Sequence, residues 1–234
     1  MKSVKKICIF TLFMAATSYV SAQSVNDICA KHVENLGGSA AIANIKSLKI
    51  TQVGTSQGND IPMTTILIPG KTYYQKVRTA IGSLTTCVNG NDAWTYTTSP
   101  SPKTTSIPPV MAKSMLIDSK FYGPIYDYYI NGDASDVKDI SDEGHSIIDR
   151  EDCFKFLVTY KSGYRVTAYV SSLDYMLKKL ESASGTFKYD NYKKSSGVMI
   201  PRYVEMTNAN GTITTVVSKV EVNCKIKNDI FNRP

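Results

Sequence analysis

Residues 69–97 read PGKTYYQKVRTAIGSLTTCVNGNDAWTYT. Pro69-Gly70 and Asn89-Gly90-Asn91-Asp92 are turn signals, because Gly and Asn tolerate the positive-φ conformations that tight hairpins need. The runs Lys71 to Arg78, Leu84 to Val88 and Ala93 to Tyr96 are rich in Thr, Tyr and Val and alternate with a period of two, the mark of a strand. The same period continues outward in both directions. Upstream it covers Leu48 to Val53 and Ile61 to Ile68. Downstream it covers Phe154 to Tyr160, Tyr164 to Val170, Tyr175 to Leu180, Thr186 to Tyr192, Arg202 to Thr207 and Ile213 to Val222, the last entered through Asn210-Gly211. Successive hairpins build one antiparallel sheet of about eleven strands, and a sheet that wide curls.

Two stretches have a helical period instead. In Ser24 to Ile45, Ser24 can cap with Asp27 as its acidic partner, and Val25, Ile28, Cys29, Val33 and Leu36 form one apolar stripe before Gly37-Gly38 breaks it. Pro108-Pro109 starts a second helix, marked by Val110, Met111, Ser114, Met115 and Asp118 and extended past Gly123-Pro124 by Ile125, Tyr126 and Tyr129. Thr97 to Thr105, with Pro100 and Pro102, reads as a polar loop, and Asp133 to Gly144 as an acidic one. The expected architecture is mainly β: an incomplete antiparallel barrel covered by the N-terminal and inserted helices, with an apolar-lined groove between.

The 234 residues carry 27 Lys+Arg against 20 Asp+Glu, a net charge of +7. Three of those charges, Lys2, Lys5 and Lys6, precede an apolar run from Ile7 to Val20 and a small-residue site ending at Ala22. That is the layout of a secretory signal peptide, so residues 1–22 are expected to be cleaved and 23–234 to form one exported domain. Cys8 is misplaced for lipid attachment, and the mature chain is expected to be soluble and periplasmic. Its charge falls to +4, with Arg78, Arg165 and Arg202 scattered, which disfavours nucleic acid as a partner.

Catalytic motifs are missing. His32 and His145 are the only histidines, and no HExxH, GxSxG, GxGxxG or phosphate loop occurs. Asp133, Asp136, Asp139 and Asp142 lack the glycine and bidentate glutamate of a calcium loop. No enzyme activity, metal or cofactor is expected. Cys29, Cys87, Cys153 and Cys224 allow three disulfide connectivities or buried free thiols, and residue types alone do not choose. The informative side chains are apolar. Met63, Leu67, Tyr73, Trp94, Tyr96, Phe154 and Phe156 on strands, with Met111 and Met115 on the inserted helix, are candidates to line a ligand cavity, since flexible thioethers suit a lid over variable chains. A plain filled core is the competing reading.

The order of local motifs resembles the outer-membrane lipoprotein-sorting family, the periplasmic Lol-type carriers and their Bacteroidota relatives. The residues that carry it are Glu34-Asn35-Leu36-Gly37-Gly38 with Ala40-Ala41-Ile42, Pro69-Gly70-Lys71, Asn89-Gly90 before Ala93-Trp94-Thr95-Tyr96, Gly197-Val198-Met199-Ile200-Pro201, and Val220 through Phe231 to Pro234. Two features depart from the family pattern: Asn89-Gly90 stands for its usual Asp-Gly, and four mature cysteines are more than expected. The resemblance implies a half-open barrel that carries lipoprotein acyl chains, or another lipid, without covalent chemistry. It also implies a monomer with transient inner- and outer-membrane partners. Arg78 is the nearest positional match to the family's lid-latching arginine.

Overall fold

Inward and outward side chains alternate through thirteen strands of a single antiparallel sheet in this computed structural model, which describes residues 23–234. The strands are β1 (Leu48–Ser56), β2 (Asn59–Ile68), β3 (Thr72–Thr79), β4 (Gly82–Asn89), β5 (Asp92–Thr97), β6 (Lys103–Ser106), β7 (Val137–Ile148), β8 (Glu151–Tyr160), β9 (Arg165–Ser171), β10 (Leu177–Ser182), β11 (Gly185–Ser195), β12 (Val198–Asn208) and β13 (Gly211–Val222). The spatial order is 6-5-4-3-2-1-13-12-11-10-9-8-7. Two hairpin wings therefore meet where the first strand pairs with the last, and the curled sheet stays unclosed with β6 and β7 at its edges. The expected signal peptide lies outside the described residues.

Two strands correct the sequence reading. The expected acidic loop is largely β7, which pairs with β8, and the expected polar loop ends in β6, which pairs with β5. Both are edge strands, where charged and polar side chains are tolerated because one flank has no neighbour. The inserted helix is two helices, α3 (Pro109–Asp118) and α4 (Gly123–Asn131), parted by a turn at Ser119–Tyr122. At the N-terminus α1 (Val25–Leu36) and α2 (Ser39–Ala43) part at Gly37-Gly38, where the sequence reading places the break.

Local chemistry accounts for these ends. Ser24 Oγ accepts from the Asp27 amide at 3.2 Å while the Asp27 carboxylate accepts from the Ser24 amide at 3.1 Å, a reciprocal capping box. Gly37 ends α1 with φ 131° and lies so close to the Gly197 carbonyl that a Cβ would stand 2.4 Å from its oxygen. Only glycine fits there, and the contact seats α1 on the β11–β12 turn.

Cross-strand partners share a face. Leu48, Leu67, Tyr73 and Val88 form one row pointing to the helices. Lys49, Ile66, Tyr74, Cys87 and Trp94 form the next row, pointing away. On the helix side, α1 and α4 close over β7–β10, where Ile28, Ile125, Phe156, Val158, Ala168 and Val170 are fully buried. A second cluster joins Val33, Leu36, Ile42, Leu48, Leu67, Tyr126 and Val198. The outward row is covered by the C-terminal tail, which lays Phe231 against Ile66, Cys87 and Trp94. Arg233 pins the tail's end, meeting Asp92 at 3.4 Å and donating to Ser106 Oγ at 3.0 Å.

Cys29, Cys87, Cys153 and Cys224 are all free. Burial pushes the Cys29 and Cys87 thiols up to about 12 and Cys153 to about 11, well away from reactive thiolates.

Candidate functional site

The concave face is packed in one region and open in another. Under α1 and α4 the inward residues of β8 and β9 are buried. On the central strands, by contrast, Ile50, Met63, Tyr73, Val77, Tyr189, Val204 and Met206 keep accessible surface, although they sit on the helix side. A chain of hydrogen bonds crosses this floor: the Gln52 and Gln75 side-chain amides both donate to Thr65 Oγ1 at 3.3 Å. The floor presents half-buried aliphatic and tyrosine side chains with a short polar seam.

Its cover is α3, which lies over β3 and β4. This helix buries none of its residues; Val110 and Met111 are 83% and 53% exposed, and Met115 is half-buried. Its anchor is Ser119, whose hydroxyl accepts from the Gly70 amide at 2.8 Å and lies 3.3 Å from the Ile68 carbonyl. The neighbouring α4 is held far more firmly. Asp127, 2% exposed, accepts from Lys120 Nζ (2.9 Å), Asn131 Nδ2 (2.7 Å), Ser135 Oγ (2.8 Å) and the Asp136 amide (2.9 Å). Burial alone would raise this carboxyl, but those donors together hold it below its usual value.

Asp118, the last residue of α3, was not singled out as a site residue by the sequence. It is exposed, yet desolvation pushes its carboxyl up to about 6. Its charge acts on three tyrosines, Tyr73 on β3, Tyr160 on β8 and Tyr189 on β11. Burial is the larger cause in each: it pushes Tyr73 up to about 12 and raises Tyr160 and Tyr189 further. The available signal was an acid in the last turn of an apolar helix, where the helix dipole disfavours an anion.

The structure divides the candidate residues. Met63, Leu67 and Tyr73 lie on the helix side of β2 and β3, with Leu67 already in the packed cluster. Phe154 is half-buried beside Tyr175 and His145, whereas Phe156 is fully buried core. Met111 and Met115 share a helix face with Asp118, at spacings of four and three residues. Trp94 and Tyr96 are corrected: their register puts them on the outward face, in the cluster under Phe231. Arg78 is exposed on that same outward side and forms no ion pair or hydrogen bond to a helix among the described residues, whereas Ser119 ties α3 to the sheet.

The histidines are structural. His32 is buried with Nδ1 2.7 Å from the Tyr175 carbonyl, and burial lowers its pKa; His145 meets Asp152 at 3.0 Å on the surface. Among the described residues no group of three or more His, Cys, Asp or Glu could hold a metal, and no helix is long and apolar enough to cross a membrane. Two surface depressions, beside Asn35 and Asp190 and beside Asn26 and Lys161, include none of the candidate residues.

A half-open antiparallel sheet with helices laid in its concavity is shared with several solved structures. A putative outer membrane lipoprotein-sorting protein domain from Vibrio parahaemolyticus superposes with a TM-score of 0.58 at 13% identity, over 89% of this chain and 97% of that one. A LolA superfamily protein from Nitrosomonas europaea gives 0.56 at 15% identity, over 91% and 99%. The fold is LolA-like. A DUF1329 family protein from Desulfovibrio piger has the same LolA-like arrangement, at 0.57 and 12% identity over 89% and 95%. No protein-family model and no curated relative matches the sequence. The fold thus agrees with the lipoprotein-sorting resemblance, with thirteen strands in place of about eleven.

Proposed function

We propose that this protein is a periplasmic carrier that takes the acyl chains of lipoproteins, or of another lipid, into the hollow between β1–β3, β11–β13 and α3. The observation that supports it is the accessible surface kept by Met63, Tyr73, Tyr189, Val204 and Met206 beneath a helical cover. A filled core would have buried them as it buries Phe156 and Val170. Each methylene withdrawn from water contributes about 0.8 kcal/mol, so one long chain supplies the affinity without a covalent step. Release then requires α3 to lift or a partner to compete. The likeness to a putative lipoprotein-sorting domain supports the same reading at the level of fold. The carrier would act as a monomer between membrane partners, and the export signal in residues 1–22 would place it there.

Gentle purification from a periplasmic extract, followed by mass spectrometry and by titration with a fluorescent fatty acid, tests the reading. Co-purifying lipid or lipoprotein and saturable uptake are expected. Met115→Lys should weaken uptake by about tenfold or more with the fold retained, because a charge then faces the chain. Absence of both bound lipid and uptake would overturn the carrier function.

A further inference from the structure

Beside the apolar floor, and resting on the carrier reading, one inward-facing charge has no counter-ion among the described residues. Arg202 stands in β12 between Ile200 and Val204, and strand alternation puts it on the face that Val198 and Ile200 turn to the helices. The acids nearest to it in the sheet alternate to the other face: Asp190 pairs with Tyr203, and Glu205 pairs with Lys188. Arg202 accordingly forms no ion pair among the described residues, although it is half-buried. A guanidinium stays charged at any physiological pH, so the cost of that burial is not relieved by losing a proton.

The nitrogens of this guanidinium are in three different states. Nη2 donates to Ser195 Oγ at 2.7 Å. Nε is shut off from solvent and has no acceptor. Nη1 also has no acceptor among the described residues, yet the sealed unpartnered atoms are only Trp94 Nε1 and Arg202 Nε. Nη1 therefore opens on solvent-accessible space. Because Nη2 carries a second N–H, the two terminal nitrogens together present a forked donor. The accessible floor begins directly beside it. Val204 and Met206 lie two and four residues along the same face, about 7 and 13 Å away, and Val204 meets Tyr189 and Thr215 in the neighbouring strands.

We propose that Arg202 is the headgroup anchor of the hollow and selects an amphiphile whose aliphatic chain ends in an oxyanion, a carboxylate or a phosphate. Two oxygens of that group accept from Nη1 and Nη2 in the parallel geometry that suits a guanidinium, and the anion supplies the missing countercharge. Ser195 is the positioning residue, holding the fork by the other proton of Nη2. The aliphatic chain then extends over Val204 and Met206. A neutral headgroup would leave the charge unpaired, and an ammonium would be repelled.

Calorimetric titration of the purified protein with decanoate, decyl phosphate and decanol tests this, since the three share a chain and differ in headgroup. At about pH 8 one or both anions should bind about tenfold more tightly than the alcohol, the scale of a charge-assisted hydrogen bond. The tighter anion identifies the oxyanion. Arg202→Met should bring the three ligands within about threefold of one another, with alcohol affinity retained. Arg202→Gln takes its place if the methionine variant does not fold. Alcohol binding as tight as that of both anions, or an anion preference that survives loss of Arg202, would overturn the anchor. A purely structural arginine would show that second result, together with a lowered melting temperature. Failure of all three ligands to bind would instead overturn the carrier function on which the anchor rests.

Discussion

Two aspartates nine residues apart show how environment decides a carboxylate's part. Asp127 is buried with four donors around it, and Asp118 is exposed with no hydrogen-bond donor on it among the described residues. Removing Asp127 strands Lys120, Asn131 and Ser135 around an empty acceptor site. Asp127→Ala should therefore cost about 3 kcal/mol at neutral pH, read from urea denaturation. Its folded pKa lies below the unfolded one, so its contribution is present above the unfolded value and is lost as pH falls through the folded one. The gap between wild type and variant should accordingly close in acid; a gap independent of pH would mean that the carboxylate charge is not what holds α4. For Asp118 the sign is opposite. Its raised pKa means that ionisation destabilises the fold as pH rises from the unfolded value towards about 6. Asp118→Asn should then raise the melting temperature at about pH 8 and lose that gain at about pH 4.

At the scale of elements, the covering helices differ in how they are held. Gly37 seats α1 on the β11–β12 turn, and the Asp127 network ties α4 to the start of β7. In α3 no residue is buried, and Ser119 supplies its hydroxyl contact to the sheet. Amides of α3 should exchange with deuterium faster than those of α1 and α4, and bound ligand should slow α3 selectively. Equal protection of all three helices would rule out α3 as the moving part. Strand positions were legible wherever a buried face imposed alternation, as in Thr72–Thr79 and Glu151–Tyr160. The edge strands were not, because Val137 and Ile140 are the inward apolar residues of β7's first half and the rest is acid, Lys and Ser facing water. The α3–α4 break was also obscured, since Phe121 and Tyr122 keep the apolar pattern running through the turn.

The molecule as a whole depends on one long-range pairing. β1 and β13 join the two wings from opposite ends of the described residues, so the sheet is complete only when its last strand docks. Truncation after Asn210 should abolish the cooperative thermal transition. Truncation after Val222 removes only the tail: the fold should persist, with Trp94, 2% exposed beneath Phe231, moving to a red-shifted emission. An unshifted spectrum would mean that the tail does not shield the indole. Trp94 fluorescence therefore reports on the tail and not on ligand in the hollow.

The sequence by itself determined the curled antiparallel sheet, the N-terminal and inserted helices, the hairpin turns and the absence of catalytic motifs. Period, turn chemistry and capping are short-range properties, legible from neighbouring residues. Which face of a strand looks at the helices is not short-range. Trp94 and Tyr96 alternate as clearly as Phe154 and Phe156, and only the tail, more than a hundred residues away, buries them on the outside. Tertiary structure alone decided which face of the sheet the helices cover and which the C-terminal tail covers.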